Sequence, residues 1–384
     1  MAPPETEPSR RTFLKSAVLA GAGTLATHHP ANAQEASMSQ NAGNDQRSTF
    51  AVPRRAFGRT GEQVSIFGLG GFHLGSTKDQ QETSTIVSKA IDAGVNFFDN
   101  AWEYNEGESE ERLGIALQGK RDKVILMTKV CSHGRDKKVA MEQLEQSLRR
   151  LKTDHLDVWQ IHEVVYYNDP DLIFRPDGAI EALEQAKKDG KVRWVGFTGH
   201  KDPAIHLKML SHDFPFDTTQ MPLNCFDARF RTFQQIVLPE ANRRGIAVLG
   251  MKSLGGSGEM VTHGGITPEE GLRYAMSLPV ATTISGVDSE IVLEQNRAIA
   301  SNFKPMTAEN GGPSKIAASF GPRTAASSVS RPQRCTTERS DASSISILKR
   351  KSCRRSWPDH FTSAVELPAG GAVATGSTGT GGRS

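Results

Sequence analysis

The chain has 384 residues, 46 Lys and Arg against 43 Asp and Glu, and a hydrophobic share of 37%, enough for one large core with appendages. Its net charge of +3 is uneven: residues 311–384 carry 11 basic and 4 acidic side chains, leaving residues 1–310 at −4, a balance that argues against a phosphate-backbone binder, which needs a basic face. The four cysteines, Cys131, Cys225, Cys335 and Cys353, form no CxxC pair, which argues against a zinc ribbon or a locally held iron–sulfur cluster.

The chain opens with Ser9-Arg10-Arg11-Thr12-Phe13-Leu14-Lys15, a small-residue apolar stretch from Ser16 to Thr27, and Ala31-Asn32-Ala33. A basic region, a short apolar region and an A-x-A site in that order predict a cleaved export signal over residues 1–33. The paired arginines resemble a twin-arginine signal, which implies the twin-arginine export machinery as a partner and a periplasmic or otherwise exported protein. The apolar run is too short for a stable membrane anchor. Residues 34–53, rich in Gln, Ser, Asn and Ala, read as a linker.

From residue 54 to 306 the pattern is regular. A short N-terminal β-hairpin is expected over Arg54–Val64. Eight strand-like runs follow: Ile66–Leu69, Phe97–Asn100, Val124–Thr128, Asp157–Ile161, Val192–Phe197, Thr218–Met221, Ala247–Met251 and Thr282–Ser285. Helix-period segments alternate with them at Ser84–Ala93, Glu108–Leu117, Val139–Leu151, Ala179–Lys188, Ala204–Leu210, Thr232–Arg243, Pro268–Met276 and Glu290–Ala300. Eight such units predict an α/β fold, a (β/α)8 TIM barrel. A doubly wound sheet is the alternative, but no helix follows Gly68-Leu69-Gly70-Gly71 at the distance a dinucleotide-binding turn requires. Beyond the barrel, residues 307–384 turn rich in Ser, Gly and Arg with no amphipathic period, and are expected to be a disordered tail or the product of a lost reading frame.

Chemistry in such a barrel gathers at the C-terminal strand ends. Strand two ends in Asp99 with Tyr104 five residues on, strand three ends in Lys129, and strand four ends in His162. These side chains are unwelcome in a core without partners. A neighbouring ammonium is expected to ease ionisation of the Tyr104 phenol, Asp99 to hold Lys129, and His162 to position a carbonyl oxygen. The set suits proton delivery to a developing alkoxide, with the hydride supplied by a nicotinamide cofactor.

Phe98-Asp99-Asn100-Ala101-Trp102-Glu103-Tyr104, Thr128-Lys129-Val130 and Gln160-Ile161-His162-Glu163 resemble the aldo-keto reductases, and the resemblance runs from about Arg54 to Pro305. It implies an NAD(P)-dependent oxidoreductase that reduces aldehydes or ketones to alcohols, with Asp99, Tyr104, Lys129 and His162 as catalytic tetrad and Tyr104 as general acid. It implies cofactor contacts from Gly71, Phe72, Thr198, Gln220, Met251, Lys252, Leu254, Gly256, Gln295 and Asn296. This chain has Thr198-Gly199 where the family usually has Ser-Asn. Gly286, Val287 and Val292 stand where NADPH-selective members clamp the 2′-phosphate with Lys, Ser and Arg. NADP(H) is the family default, and NAD(H) is the alternative. A cofactor-binding sensor or accessory subunit, and an inactive product of a frame-shifted gene, are the competing functions.

Phe72, Trp102, Tyr166 and Tyr167 are candidate walls of the substrate pocket. The long loop Glu163–Gly178 is expected to cover that pocket. His73 and His133 lack a second ligand at metal spacing, so no metal is expected. Cys131 reads as a buried inert thiol and Glu103 as a solvated or packing neighbour of Tyr104.

Overall fold

The computed structural model describes residues 51–307 apart from 132–134, 230, 257 and 264. The predicted export signal over 1–33, most of the linker, His133 and all but the first residue of the predicted tail lie outside the described residues. The folded body starts slightly before the expected boundary. Val52 is buried and its N–H donates to Ala93 O at 3.0 Å, while Pro53 O accepts from Ile66 N at 2.9 Å.

Strands β1 (Arg54–Ala56) and β2 (Gln63–Ser65) form the expected antiparallel hairpin. Eight parallel strands then close a barrel: β3 (Phe67–Gly70), β4 (Phe97–Asp99), β5 (Ile125–Val130), β6 (Leu156–Ile161), β7 (Val192–Thr198), β8 (Thr218–Pro222), β9 (Ala247–Met251) and β10 (Thr282–Gly286), with β10 pairing back onto β3. The helices are α1 (Gly71–Leu74), α2 (Gln80–Asp92), α3 (Glu108–Ala116), α4 (Lys137–Arg150), α5 (Asp169–Phe174), α6 (Ala179–Lys188), α7 (Pro203–Ser211), α8 (Phe233–Arg243), α9 (Glu259–Thr262), α10 (Pro268–Ser277) and α11 (Glu290–Ser301). The doubly wound alternative is thereby excluded.

Local chemistry sets the helix ends. Asp79, Asp136, Asp202 and Thr232 each accept a backbone N–H at the start of α2, α4, α7 and α8, and Thr267 with Glu270 closes a reciprocal capping box on α10. Gly94, Gly190 and Gly245, at φ of 88°, 72° and 70°, let the chain leave α2, α6 and α8 in the left-handed conformation.

Two apolar layers follow from strand alternation. Leu126, Val130, Trp159, Ile161, Val195 and Phe197 pack outward in the core beneath the helices. Phe97, Ile125, Met127, Val158, Trp194, Ala247, Leu249 and Ile284 fill the barrel interior, joined by Phe57 and Val64 of the hairpin. Phe57 has no exposure and its ring lies 5.7 Å from Phe97 and 5.5 Å from Trp194. The hairpin therefore plugs the barrel on the side away from the strand C-termini, so that solvent-accessible polar chemistry is left to the opposite mouth.

Candidate active site

Inward-facing positions change character along the strands. Phe97 is followed two residues later by Asp99, Ile125 and Met127 by Lys129, and Val158 by Gln160 and then His162. Alternation carries all of these to the same side of the sheet, so the apolar plug gives way to polar side chains at the C-terminal mouth. The structure brings together Asp99, Tyr104, Lys129 and His162. Lys129 Nζ forms a buried ion pair with Asp99 Oδ1, and donates to Asn100 O at 2.7 Å and to Tyr104 OH at 3.3 Å. The Tyr104 ring meets the His162 ring edge-on at 5.7 Å and the Phe72 ring at 5.5 Å. Because Lys129 donates to the phenol oxygen, the phenol proton is left for a group entering the pocket.

The electrostatics differ from the expectation for Tyr104. Burial holds the phenol well above its ordinary value, and the negative charges of Asp99, Glu103 and Glu163 add to that. Burial and these anions outweigh the pull of the Lys129 ammonium that donates to the phenol oxygen. Burial likewise raises the Asp99 carboxyl, against the pull of Lys129. Tyr104 is therefore a protonated phenol at neutral pH, a donor and not a phenolate.

Glu103 is no solvated neighbour. Its carboxylate lies directly against His162 Nδ1, and its side chain is 14% exposed. Burial opposes its charge, but the charge and hydrogen bond of His162, its own backbone and Lys129 together hold its carboxyl below the usual carboxylate range.

Two buried networks fix the loops that carry these groups. After Tyr104 the chain passes through Asn105, Glu106 and Gly107 at φ of 53°, 59° and 94°, a run that the surroundings must enforce. Glu110, fully buried, accepts from Thr128 Oγ1 at 2.6 Å and pairs with Arg150 Nη1 at 3.2 Å, and Arg150 also donates to Trp102 O at 2.8 Å. The second network holds the stretch after β6. Arg135 donates to His162 O at 2.6 Å and to Glu163 O at 2.5 Å, and pairs with Asp169 at 3.0 Å. Asp169 in turn accepts from Val165 N and Tyr166 N.

The expected pocket walls divide. Phe72 stands beside Tyr104. Trp102 instead donates its Nε1 to Gln146 Oε1 on α4 at 2.9 Å, under the Arg150 guanidinium. Tyr166 and Tyr167 are more than half exposed. The Tyr166 ring lies under Lys201, and the Tyr167 hydroxyl donates to Asp202 Oδ2 at 2.7 Å. The loop Glu163–Gly178 contains helix α5, and its Phe174 stacks on His212 at 3.9 Å. The contacts of these three aromatics therefore run to α7 and the segments flanking it, while the Glu163 charge at the start of the same loop acts on Tyr104.

Of the expected cofactor positions, Thr198 and Gln220 are buried at the ends of β7 and β8, and Asn296 on α11 is buried and donates to Ser285 Oγ at 3.3 Å. Gln295 is exposed, and Met251, Lys252, Leu254 and Gly256 are half-buried on the stretch that closes β9. Burial lowers the Lys252 ammonium and, with nearby Lys252, pushes His200 down to about 3. The Gly199 departure has a steric cause, since a Cβ there would lie 2.4 Å from Val164 O. Cys131 is buried, as expected. No group of three or more His, Cys, Asp or Glu able to hold a metal ion occurs among the described residues.

Sequence reasoning missed His206 on α7. It is fully buried, with its Nε2 3.3 Å from Gln220 O and its ring 4.9 Å from Phe197, and burial pushes it down to about 4. A neutral histidine at that distance supports the β8 end where Gln220 sits.

The family model described as "Aldo/keto reductase family" matches residues 67–263. Aldo-keto reductase YhdN of Bacillus subtilis is 30% identical over 204 residues, covering 50% of this chain and 58% of YhdN. The 6-dehydroglucose reductase of Novosphingobium aromaticivorans is 28% identical over 218 residues, covering 53% of this chain and 69% of that protein. Among solved structures, aldo-keto reductase AKR11C1 from Bacillus halodurans in its holo form superposes with a TM-score of 0.59 at 25% identity, covering 71% of this chain and 97% of that one. The chain thus spans little more than half the length of YhdN.

Proposed function

Because the chain belongs to the aldo/keto reductase family, we propose that it reduces an aldehyde or ketone to an alcohol with a nicotinamide cofactor, and that Tyr104 delivers the proton. The observation that carries this is the direction of the Lys129 hydrogen bond, which occupies the Tyr104 oxygen as acceptor and leaves its proton to donate. When bound, the nicotinamide supplies the hydride to the carbonyl carbon. The carbonyl oxygen gains negative charge as that happens, Tyr104 gives it a proton, and His162 holds the oxygen in place.

The residues present fit such a cofactor. Gln220 Oε1 is buried without a partner, an acceptor that a carboxamide N–H would satisfy. Thr198 and Gln220 would hold the carboxamide, Met251 the ring face, Lys252, Leu254 and Gly256 the pyrophosphate, and Gln295 and Asn296 the adenine, with Gly71 and Phe72 bordering the nicotinamide. The 2′-phosphate clamp is absent from the sequence at Gly286, Val287 and Val292. At Gly286 a Cβ would fall 2.1 Å from His73 Nδ1, so a lysine there requires His73 to move. We therefore expect NADH to bind at least as tightly as NADPH. Fluorescence titration of the full chain with each, followed by a panel of carbonyl substrates, tests both readings. NADPH binding tenfold tighter than NADH removes the preference. Binding of either cofactor with no turnover of any aldehyde or ketone removes the reductase.

The twin-arginine signal supports export to the periplasm with the cofactor already bound. Fractionation of cells producing Arg10→Lys/Arg11→Lys is expected to show the protein retained in the cytoplasm. An undiminished periplasmic fraction from that variant sinks the assignment.

A further inference from the structure

The proposed proton donor stands on a turn that the chain does not adopt unaided. Tyr104 is followed by Asn105 and Glu106 in the left-handed conformation and then by Gly107 at φ of 94°. Non-glycine residues persist there only where their surroundings hold them. The contacts that hold this turn form a ring that begins and ends on β5. The Lys129 carbonyl accepts from Trp102 N at 3.0 Å, and the Trp102 carbonyl accepts from Arg150 Nη1 at 2.8 Å. The same Arg150 nitrogen pairs with Glu110 Oε2 at 3.2 Å, and Glu110 Oε1 accepts from Thr128 Oγ1, next to Lys129, at 2.6 Å. The turn is thus gripped at Trp102 before Tyr104 and at Glu110 after it. The ring has little room to slacken. Glu110 is fully buried, and a Cβ on Gly107 would lie 2.4 Å from Arg150 Cζ.

We propose that Glu110 is a positioning residue for the Lys129–Tyr104 pair, closing the ring that sets the Tyr104 hydroxyl 3.3 Å from the Lys129 ammonium. This rests on the reductase reading for its catalytic consequence but not for its geometry. A carboxylate suits the position because its two oxygens each take a donor from a different element, Thr128 on β5 and Arg150 on α4. A glutamine at 110 keeps an oxygen for Thr128 but turns its amide hydrogens toward Arg150, donor against donor, so that end of the ring opens. A valine at 128 keeps the shape of threonine and opens the other end without stranding a charge. In both cases Trp102 N stays bonded to Lys129 O, so the turn remains attached to β5 but is no longer fixed in place. The phenol can then drift from the ammonium, and a misplacement of about 1 Å costs on the order of a hundredfold in rate.

The test reads Tyr104 directly. The chain has four tyrosines, so the full chain labelled with 13C at the tyrosine Cζ gives few signals, and the one lost in Tyr104→Phe belongs to Tyr104. Glu110→Gln and Thr128→Val are each expected to shift or split that signal, while Tyr274, whose hydroxyl donates to Gln234, keeps its own. Thr128→Ser, which retains the hydroxyl, is expected to restore the wild-type signal. Kinetics with 4-nitrobenzaldehyde and NADH provide the second readout. Glu110→Gln and Thr128→Val are expected to lower kcat about ten- to a hundredfold, with KM for the aldehyde and Kd for NADH unchanged, and Thr128→Ser to recover most of the loss. A residue that only holds the fold would lower the melting temperature and leave the kcat of the folded protein alone. An unmoved Tyr104 signal in both variants, a wild-type kcat in Thr128→Val, or failure of both variants to fold would overturn the proposal. If the wild-type protein reduces no aldehyde, the reductase reading fails while the Tyr104 signal still decides the role of Glu110.

Discussion

Replacing Tyr104 with Phe is expected to lower carbonyl reduction by about 10²- to 10⁴-fold, the range for loss of a general acid, while NADH binding persists. The substitution removes one oxygen and keeps the ring against Phe72 and His162. The Lys129 ammonium loses one acceptor but retains Asp99 and Asn100 O, so the fold has no reason to change. The pH dependence follows from the same burial. A phenol held above its ordinary value near 10 is fully protonated across the neutral range. Its contribution to reduction is therefore constant up to about pH 10 and is lost only as pH rises beyond that. The reverse reaction, which needs an unprotonated acceptor, should gain over the same interval. Stopped-flow reduction of an aldehyde, and oxidation of its alcohol, each at saturating cofactor, measure the two. A Tyr104→Phe protein that turns over within threefold of wild type leaves the proton to another group and removes the proposed acid.

The legible part of this site is the part written along strands. Asp99, Lys129 and His162 stand at strand ends, at even spacing from apolar interior residues, so period-two alternation alone points them to one mouth. Tyr104 required the family motif, because it sits on a loop with no period. What escaped is what pairs across loops. The contact of Glu103 with His162, and the Arg135–Asp169 and Glu110–Arg150 pairs, join residues on different strand–helix units, and nothing local distinguishes a buried carboxylate from a solvated one. His206 escaped for a related reason: on a helix surface pattern it looks like any polar residue, and only the packing of Phe197 and Phe233 makes it a core side chain. Within the loop Glu163–Gly178 the sequence also marks a helix. Asn168-Asp169-Pro170 is a helix start with Pro in the first turn, and the resulting α5 draws Phe174 onto His212.

Lys129→Met is expected to destabilise the barrel by about 3–5 kcal/mol, the cost of stranding one partner of a buried ion pair. Lys129 and Asp99 are both almost fully buried, and among the described residues no other salt bridge reaches the Asp99 carboxylate. With the ammonium gone, the carboxyl must take up a proton or draw water into the barrel mouth. At about 2–4 °C per kcal/mol for a domain of this size, the melting temperature should fall by roughly 6–20 °C. Asp99→Asn should cost less, because the Lys129 ammonium keeps Asn100 O and Tyr104 OH as acceptors. The double variant Lys129→Met/Asp99→Leu removes both charges and should be more stable than Lys129→Met alone, since an apolar pair of similar volume avoids the desolvation that the ion pair only just repays. A double-mutant cycle by thermal denaturation isolates that coupling. Additive losses, or a Lys129→Met protein that melts within two degrees of wild type, would mean that water already screens the pair. A stable but inactive double variant would show the opposite: that the mouth of the barrel keeps a costly ion pair because the proton on Tyr104 has to be aimed, and not because the fold requires a charge there.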